Sequence, residues 1–120
     1  MATLNVTLEL TSTDVFSDTL SLSNTDALTI TKSTKLERIT TSTTSTQFAA
    51  AASYTKAYVY LKNTSTTASE IIHIETASGS GKQFELGAGE FAFFPWDSTE
   101  NLFADADAGT PVMEVGIFEA

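Results

Sequence analysis

The sequence predicts an all-β chain, folded as an antiparallel β-sandwich of jelly-roll type with about eight or nine short strands. Apolar and polar residues alternate in several short runs, which is the period-two pattern of half-buried strands. Turn-type residues separate these runs at intervals of about 8 to 12 residues. Thr occurs 21 times and Ser 13 times among the 120 residues, and β-branched Thr suits a pleated, partly exposed surface.

The first strands are predicted from alternation near the N-terminus. Residues 4–10 alternate leucine and valine with polar residues and predict a strand with one buried face. Residues 11–17 are polar and predict a turn. Two further short strands are expected at residues 20–22 and 28–30, separated by a turn over Asn24, Thr25 and Asp26.

The next stretch is weaker in apolar content. Residues 36–44 predict a strand with Ile39 as its best core candidate. Residues 40–46 are mostly Ser and Thr, and this pattern fits either an edge strand or an exposed loop. Residues 48–52 (FAAAA) are the one plausible helical turn, which is too short to be stable alone.

The second half holds the strongest strand, residues 54–62, in which apolar and larger polar side chains alternate. A polar turn at residues 63–69 and a returning strand at residues 70–76 predict a hairpin. A second hairpin is expected where residues 83–86 and 90–94 flank a turn. The turn-forming residues are Gly87 and Gly89, with Pro95 ending the second strand; residues 101–104 and 113–117 complete the sheet.

These elements predict a single β-sandwich domain over residues 1–120. The Thr- and Ser-rich residues 1–50 have too few large apolar side chains to hold a core alone. They are therefore expected to pack on the aromatic-rich residues 54–120. The pattern leaves open whether residues 1–12 pair within the subunit or extend to a neighbour.

Charge and composition limit the kinds of partner that this chain is expected to bind. Fifteen acidic residues against six basic ones give a net charge of −9, so free nucleic acid is not an expected partner. No apolar run reaches the roughly 18 residues of a membrane span, and the N-terminus lacks the features of a secretory signal. From residue 85 onward there are eight acids and no base, a bias that serves either solubility or steering toward a partner.

No catalytic, cofactor-binding or metal-binding constellation is predicted. His73 is the single histidine, so a structural role is expected. Asp105 and Asp107 resemble a fragment of a calcium loop but lack its remaining ligands. Glu85 and Glu90 face each other across the predicted hairpin, which is a weak indication of a hydrolase. The sequence thus predicts a protein that is not an enzyme and needs no cofactor.

Aromatic residues cluster at residues 91–96 (FAFFPW). Successive side chains on a strand face opposite sides, so Phe93 and Phe94 cannot both enter one core. One of them, or Trp96, is expected at an interface, where aromatic residues concentrate binding energy.

Two motifs in the second half resemble those of a known group of proteins. Residues 58–64 (YVYLKNT) followed by residues 86–96 (LGAGEFAFFPW) are similar to small virion structural proteins of tailed bacteriophages, especially marine ones. The resemblance covers about residues 54–120, and in the first half extends only to its Thr-rich character. It implies a jelly-roll-like β-sandwich built into the particle.

The resemblance alone leaves open whether the protein coats the head or belongs to a fibre or tail. Its small size, the lack of cysteine and of a catalytic group, and its acidic surface fit a capsid decoration (cement) protein on the outer capsid surface, made in the host cytoplasm. Its partner would be the major capsid protein, and it would assemble as a homotrimer. The expected interface consists of aromatic anchors and of basic residues that meet charges on the shell: Phe94, Trp96 and Phe118, with Lys32, Lys35 and Arg38.

A carbohydrate-binding module of a head or tail fibre is the alternative, with a host-surface glycan as partner. Trp96 with Tyr58 or Tyr60 would stack on a sugar ring, and Asp97 and Asn101 would bond its hydroxyl groups.

Overall fold

The structure is a computed structural model that describes residues 2–120, with the backbone alone at residues 33 and 34. This part of the chain contains ten β-strands, all paired antiparallel, and no helix. The strands are β1 (Ala2–Ser12), β2 (Leu20–Ile30), β3 (Lys32–Thr40), β4 (Thr46–Ala49), β5 (Ala57–Asn63), β6 (Ile72–Ala77), β7 (Ser80–Leu86), β8 (Phe91–Trp96), β9 (Leu102–Ala106) and β10 (Val112–Glu119). The predicted all-β sandwich is confirmed, with ten strands.

Eight strands form two four-stranded sheets. Sheet I has the order β3-β10-β5-β8, and sheet II has the order β4-β9-β6-β7. The remaining strands, β1 and β2, form a two-stranded sheet of their own, which we call the arm. The radius of gyration is 15.7 Å, larger than the about 13.6 Å expected of a compact chain of this length, consistent with an arm that projects from the sandwich.

The core lies between sheets I and II. In β5 the inward positions are fully buried and the outward ones are half-buried. Leu61 of β5 and Met113 of β10 share this core with Ile72 and Ile74 of β6. Full burial of each such side chain contributes about 1.5–3 kcal/mol, so the seam between the sheets holds the fold together.

The arm corrects one prediction. Asn24, Thr25 and Asp26 do not form a turn but continue β2, where they pair with Leu8, Thr7 and Val6 of β1. Their cross-strand partners satisfy the backbone hydrogen bonds of both strands, and this pairing overrides the local turn preference. The two short strands expected here are therefore one strand of 11 residues.

The structure also corrects the predictions for residues 36–52. The weak strand begins earlier, as β3, and residues 41–45 connect it to β4, so a connecting loop rather than an edge strand follows. The helical turn predicted at residues 48–52 is wrong, because Phe48 and Ala49 belong to β4, which pairs with β9. Burying Phe48 between the sheets stabilises a strand there, whereas a five-residue helix has no such gain.

Neither predicted hairpin in the second half forms. Strands β5 and β6 lie in different sheets, and so do β7 and β8. Each connection therefore crosses from one sheet to the other. An alternating strand has the same pattern whether its neighbour in sequence pairs beside it or faces it across the core, so alternation alone cannot decide between them. The hairpin that does form joins β6 to β7 around Gly79.

Asn63 ties the two crossovers together. Its side-chain amide donates hydrogen bonds to the carbonyl oxygens of Glu70, at 2.8 Å, and Leu86, at 3.0 Å. Its backbone N–H donates to the carbonyl of Glu90, and its own carbonyl accepts from the N–H of Gly89. Gly89 supplies the positive φ that closes this turn. The two motifs of the second half thus meet here and fix the crossing of both connections.

Candidate binding surface

The outer side of sheet I carries a row of aromatic side chains. Because Val59 and Leu61 point into the core, the alternating residues of β5 point outward. The rings of Tyr58 and Phe93 stack there, with centroids 6.1 Å apart and planes inclined by 5°. We call this surface the aromatic face; its members are Tyr58, Tyr60, Phe91, Phe93, Pro95 and Phe118.

Part of the aromatic face is open to solvent. Phe91 is 63% exposed, and Leu36, on the edge strand β3 of the same sheet, is 79% exposed. Gly116 lies between Leu36 and Tyr60 in the sheet. A Cβ atom at Gly116 would lie 3.0 Å from the ring of Phe118, so the glycine leaves the space that this ring occupies.

Basic side chains border the aromatic face. Lys56 places its Nζ atom 5.3 Å from the ring centroid of Tyr58, within the range of a cation–π contact. Lys62 is opposite Phe91 on one side and Glu114 on the other. Arg38 pairs with Glu114 at 3.4 Å. The border therefore carries three cations and one anion, in a chain whose net charge is −9.

The arm exposes a second apolar surface. Even-numbered residues of β1 pair with even-numbered residues of β2, so their leucines share one face. Leu8, Leu10 and Leu22 on this face are 50%, 45% and 56% exposed. Val15 and Phe16 in the connection between the strands are also exposed. Single exposed apolar residues are ordinary, but a contiguous group marks a surface for a partner.

A cleft of about 390 Å³ separates more than half of the arm's length from the aromatic face. Val6 and Leu28 line it from the arm, and Tyr58, Phe91 and Phe93 line it from sheet I. The arm therefore leans over the aromatic face near β8 without covering it.

The three aromatic residues expected at an interface lie in three different places. Trp96 is 7% exposed and packs in the core, with its ring edge-on to Tyr54 at 6.0 Å. Phe94 packs against that core, edge-on to Phe84. Phe118 belongs to the aromatic face. Trp96 and Phe94 therefore offer little surface to a partner, and the exposed ring next to them is Phe93, on the opposite side of the strand.

The expected basic residues do not form one patch. Lys32 pairs with Glu119 at 3.7 Å. Lys35 pairs with Glu37 at 3.1 Å and donates a hydrogen bond to the carbonyl of Phe48 in the other sheet. Arg38 pairs with Glu114 and lies outward, as described above. Each of the three cations thus has a carboxylate partner in its own chain.

The residues expected to bind a sugar are not brought together. Tyr58 and Tyr60 lie on the aromatic face, whereas Trp96 lies in the core on the other side of sheet I. Asp97 accepts hydrogen bonds from the hydroxyl and the backbone N–H of Thr99, and these bonds hold the pKa of Asp97 below its ordinary value. Asn101 accepts a hydrogen bond from the N–H of Ala51, so its oxygen is occupied within the fold.

His73 lies between two carboxylates on the outer side of sheet II. Its Nε2 atom is 2.7 Å from Asp107, and its Nδ1 atom is 3.7 Å from Glu85. Glu90 instead accepts a hydrogen bond from the N–H of Gly87, at 2.5 Å. The predicted facing of Glu85 and Glu90 is therefore wrong, because β7 and β8 belong to different sheets.

A buried carboxyl group lies on the same side of sheet II. Glu75 is fully buried, and its carboxyl group lies beside the side chains of Asp105 and Ser45. Burial raises the pKa of Glu75, and the neighbouring Asp105 carboxylate raises it further, against a smaller opposing effect of Lys82. Glu75 is therefore held as a neutral acid over a wider pH range than an exposed glutamate.

Within residues 2–120, no group of three or more histidine or acidic side chains is placed to bind a metal ion. In the same part of the chain, no helix has the length and hydropathy needed to cross a membrane. Compared with known proteins, the chain matches no family model, no curated protein and no solved structure.

Proposed function

We propose that the chain is a non-enzymatic structural protein of a phage virion, a decoration (cement) protein that binds the outer surface of the head and stabilises it. Its partner in this proposal is the major capsid protein, and its assembled form is a homotrimer. The resemblance of residues 58–64 and 86–96 to small virion proteins motivates the proposal. The exposed surfaces of the fold are what support it.

The observation that carries the proposal is the pair of exposed apolar surfaces, the arm and the aromatic face. Phe91 and Leu22 are each more than half exposed, although both are large apolar side chains. Aromatic residues bordered by polar and charged side chains are typical of the centre of a protein interface. A chain that presents two such surfaces is suited to an assembly in which both are covered.

The architecture is compatible with this role. From β3 to β10, every pair of successive strands except β6 and β7 crosses between the two four-stranded antiparallel sheets. This strand order is that of a jelly roll, an architecture used by viral capsid and lectin domains. An architecture does not by itself assign a function. The placement of Trp96 in the core and of Tyr58 on the outer face separates the two residues of the predicted sugar platform. The same burial removes Trp96 from the predicted capsid interface, so the exposed Phe91 and Leu36 take its place in the proposal.

The proposed mechanism is linkage by mass action. A protein that binds the assembled shell, and has no affinity for its separated subunits, stabilises the shell in proportion to the logarithm of its free concentration over its dissociation constant. Basic residues at the border of the aromatic face would meet acidic groups on the shell. Salt should therefore weaken the association, chiefly through its rate of formation.

The test is co-sedimentation of the purified chain with head shells that lack it, over a series of salt concentrations. We expect saturable binding at a fixed number of copies per capsid hexamer. Leu36→Ser should weaken binding at least tenfold, because it removes an apolar side chain that is 79% exposed at the β3 edge of sheet I, away from Phe91 on β8. Gln83→Ser, at an exposed position of sheet II, is the matched control. Absence of saturable binding by the unmodified chain would overturn the proposal.

A further inference from the structure

We infer that the arm of one copy docks its apolar face on the aromatic face of a second copy. The proposed homotrimer does not specify which surfaces meet between copies. Any role of this contact on the shell rests on the proposed function. The contact itself is a property of the chain alone. Four features of the structure support it: the arm's open edges, its apolar face, its charge and its area.

The arm lacks the support that a sheet needs. Strands β1 and β2 pair with each other and with no other strand in the described part of the chain. An isolated two-stranded hairpin is marginally stable in water, and a covered apolar face is what stabilises it. The outer edge of each strand also leaves backbone groups open to pairing. The arm is therefore expected to be ordered by a surface outside itself.

The arm of the same copy does not close the aromatic face. Val6, Leu8 and Leu28 line the cleft above Phe91 and Phe93, so this part of the arm faces its own sandwich. Leu10 and Leu22, which pair directly across the arm, lie outside that cleft and are about half exposed. The end of the arm beyond Leu8 and Asn24 thus extends past its own sandwich, where a second copy can receive it.

Charge favours the same arrangement. Residues 2–31 contain four acids and no base: Glu9, Asp14, Asp18 and Asp26. None of these four carboxylates forms an ion pair within residues 2–120. The aromatic face is bordered by Arg38, Lys56 and Lys62 against one acid, Glu114. Asp14 and Asp18 lie in the connection at the outer end of the arm and Asp26 lies on its apolar face, whereas Glu9 lies on the opposite face. The first three acids are therefore the ones that can meet the basic border of a second copy, although two copies of a chain of charge −9 repel each other overall.

The area is sufficient for a specific contact. Each strand of the arm has 11 residues, which span about 37 Å, and a two-stranded ribbon is about 10 Å wide. One face of the arm therefore covers about 370 Å², and the surface beneath it loses a similar area. Two arms exchanged between two copies along their whole length would bury about 1,500 Å² in total, which is within the range of stable interfaces, whereas their outer ends alone would bury less than half of that area.

The test is sedimentation equilibrium of the full chain, without shells, over a range of protein and salt concentrations. We expect the chain to self-associate, and the association to weaken as salt rises. Leu22→Glu should raise the dissociation constant about 10- to 100-fold, and Phe91→Ser, on the receiving surface, should do the same.

Ser21→Glu is the matched control for the arm. Ser21 is exposed, adjacent to Leu22 and on the opposite face of the same strand. Ser21→Glu introduces the same side chain and the same charge as Leu22→Glu, but on the face of the arm that does not dock. It should therefore change the dissociation constant by less than about threefold, as exposed surface substitutions usually do. Fluorescence of the buried Trp96 checks that every variant retains its sandwich.

Three results would overturn the inference. They are a chain that stays monomeric at every concentration, a Leu22→Glu variant that associates like Ser21→Glu, and a Phe91→Ser variant that associates like the unmodified chain. A chain that is monomeric alone yet saturates shells would refute the arm contact and leave the proposed function standing. A chain that self-associates through the arm but does not bind shells would refute the proposed function and leave the arm contact standing.

Discussion

Replacing Asn63 by alanine tests whether the two crossovers are held by one side chain. Asn63 is fully buried at the end of β5. Its amide donates to the carbonyls of Glu70 and Leu86, and its side-chain oxygen accepts from the N–H of Ser65, at 3.0 Å. Asn63→Ala leaves these three backbone groups without their partner; the hydrogen bond to Leu86 is buried and the other two are partly buried.

The expected loss of stability follows from these three hydrogen bonds. Each backbone group left unsatisfied costs about 1 kcal/mol or more. The free energy of unfolding should therefore fall by about 3–4 kcal/mol. With an unfolding entropy of about 2.1 cal/mol/K per residue, a chain of this length should lose about 12 °C or more in melting temperature.

Urea unfolding, followed by the fluorescence of Trp96, measures this change. Trp96 is buried in the core, so its emission reports the sandwich. Asn5→Ala, at an exposed position on the arm, is the matched control and should change the free energy of unfolding by less than about 0.5 kcal/mol. If Asn63→Ala lowers the free energy of unfolding by less than about 1 kcal/mol, the side chain of Asn63 does not hold the two crossovers together.

Three further predictions concern the same fold. Burial raises the pKa of Glu75 above 4.5, so the native state keeps a proton that the unfolded chain releases. The free energy of unfolding should therefore fall as pH rises from 4.5 through the folded-state pKa. Urea titrations at several pH values should show that Glu75→Gln flattens this slope. Gly89→Ala should lower the free energy of unfolding in urea titrations by about 1–2 kcal/mol, because the backbone φ at this position is +78°. Gly89→Asn should lower it by less, because asparagine tolerates this conformation better than alanine. Trp96→Ala should lower the free energy of unfolding by about 3–5 kcal/mol, whereas Phe91→Ala, at an exposed position, should lower it by less than about 0.5 kcal/mol.

Each of these predictions has an opposing outcome. An unchanged pH slope in Glu75→Gln would show that this carboxyl group is not held neutral in the fold. Equal stability of Gly89→Ala and the unmodified chain would contradict the left-handed backbone at the turn. A stable, folded Trp96→Ala variant would contradict the placement of this ring in the core.

Alternation along the sequence predicted most strands, because a buried face leaves a period-two pattern whatever its partner. It predicted the inward residues of β5 and β10, such as Leu61 and Val115. It did not predict which strands pair, since hairpins and crossovers between sheets share one pattern. Nor did it predict that Asn24 continues a strand, because the cross-strand partner Leu8 that stabilises it lies 16 residues away.

The binding surface was less accessible to sequence reasoning. The expectation that Phe93 and Phe94 face opposite sides is confirmed, with Phe94 toward the core. Trp96 is two residues after Phe94, so both side chains lie on the same face of the strand. This spacing was the signal in the sequence that Trp96 is buried. Phe91 shares the parity of Phe93 and was missed as an exposed residue. Leu22 was missed because burial depends on what covers the arm, and no local pattern records that.

Calorimetry of phage-head shells with and without the purified chain would show whether the chain stabilises the capsid. If the chain binds the assembled shell in preference to its separated subunits, the melting temperature of the shell should rise with the concentration of free chain and fall back at high salt. A shell melting temperature that does not change at saturating chain would contradict a stabilising role on the capsid.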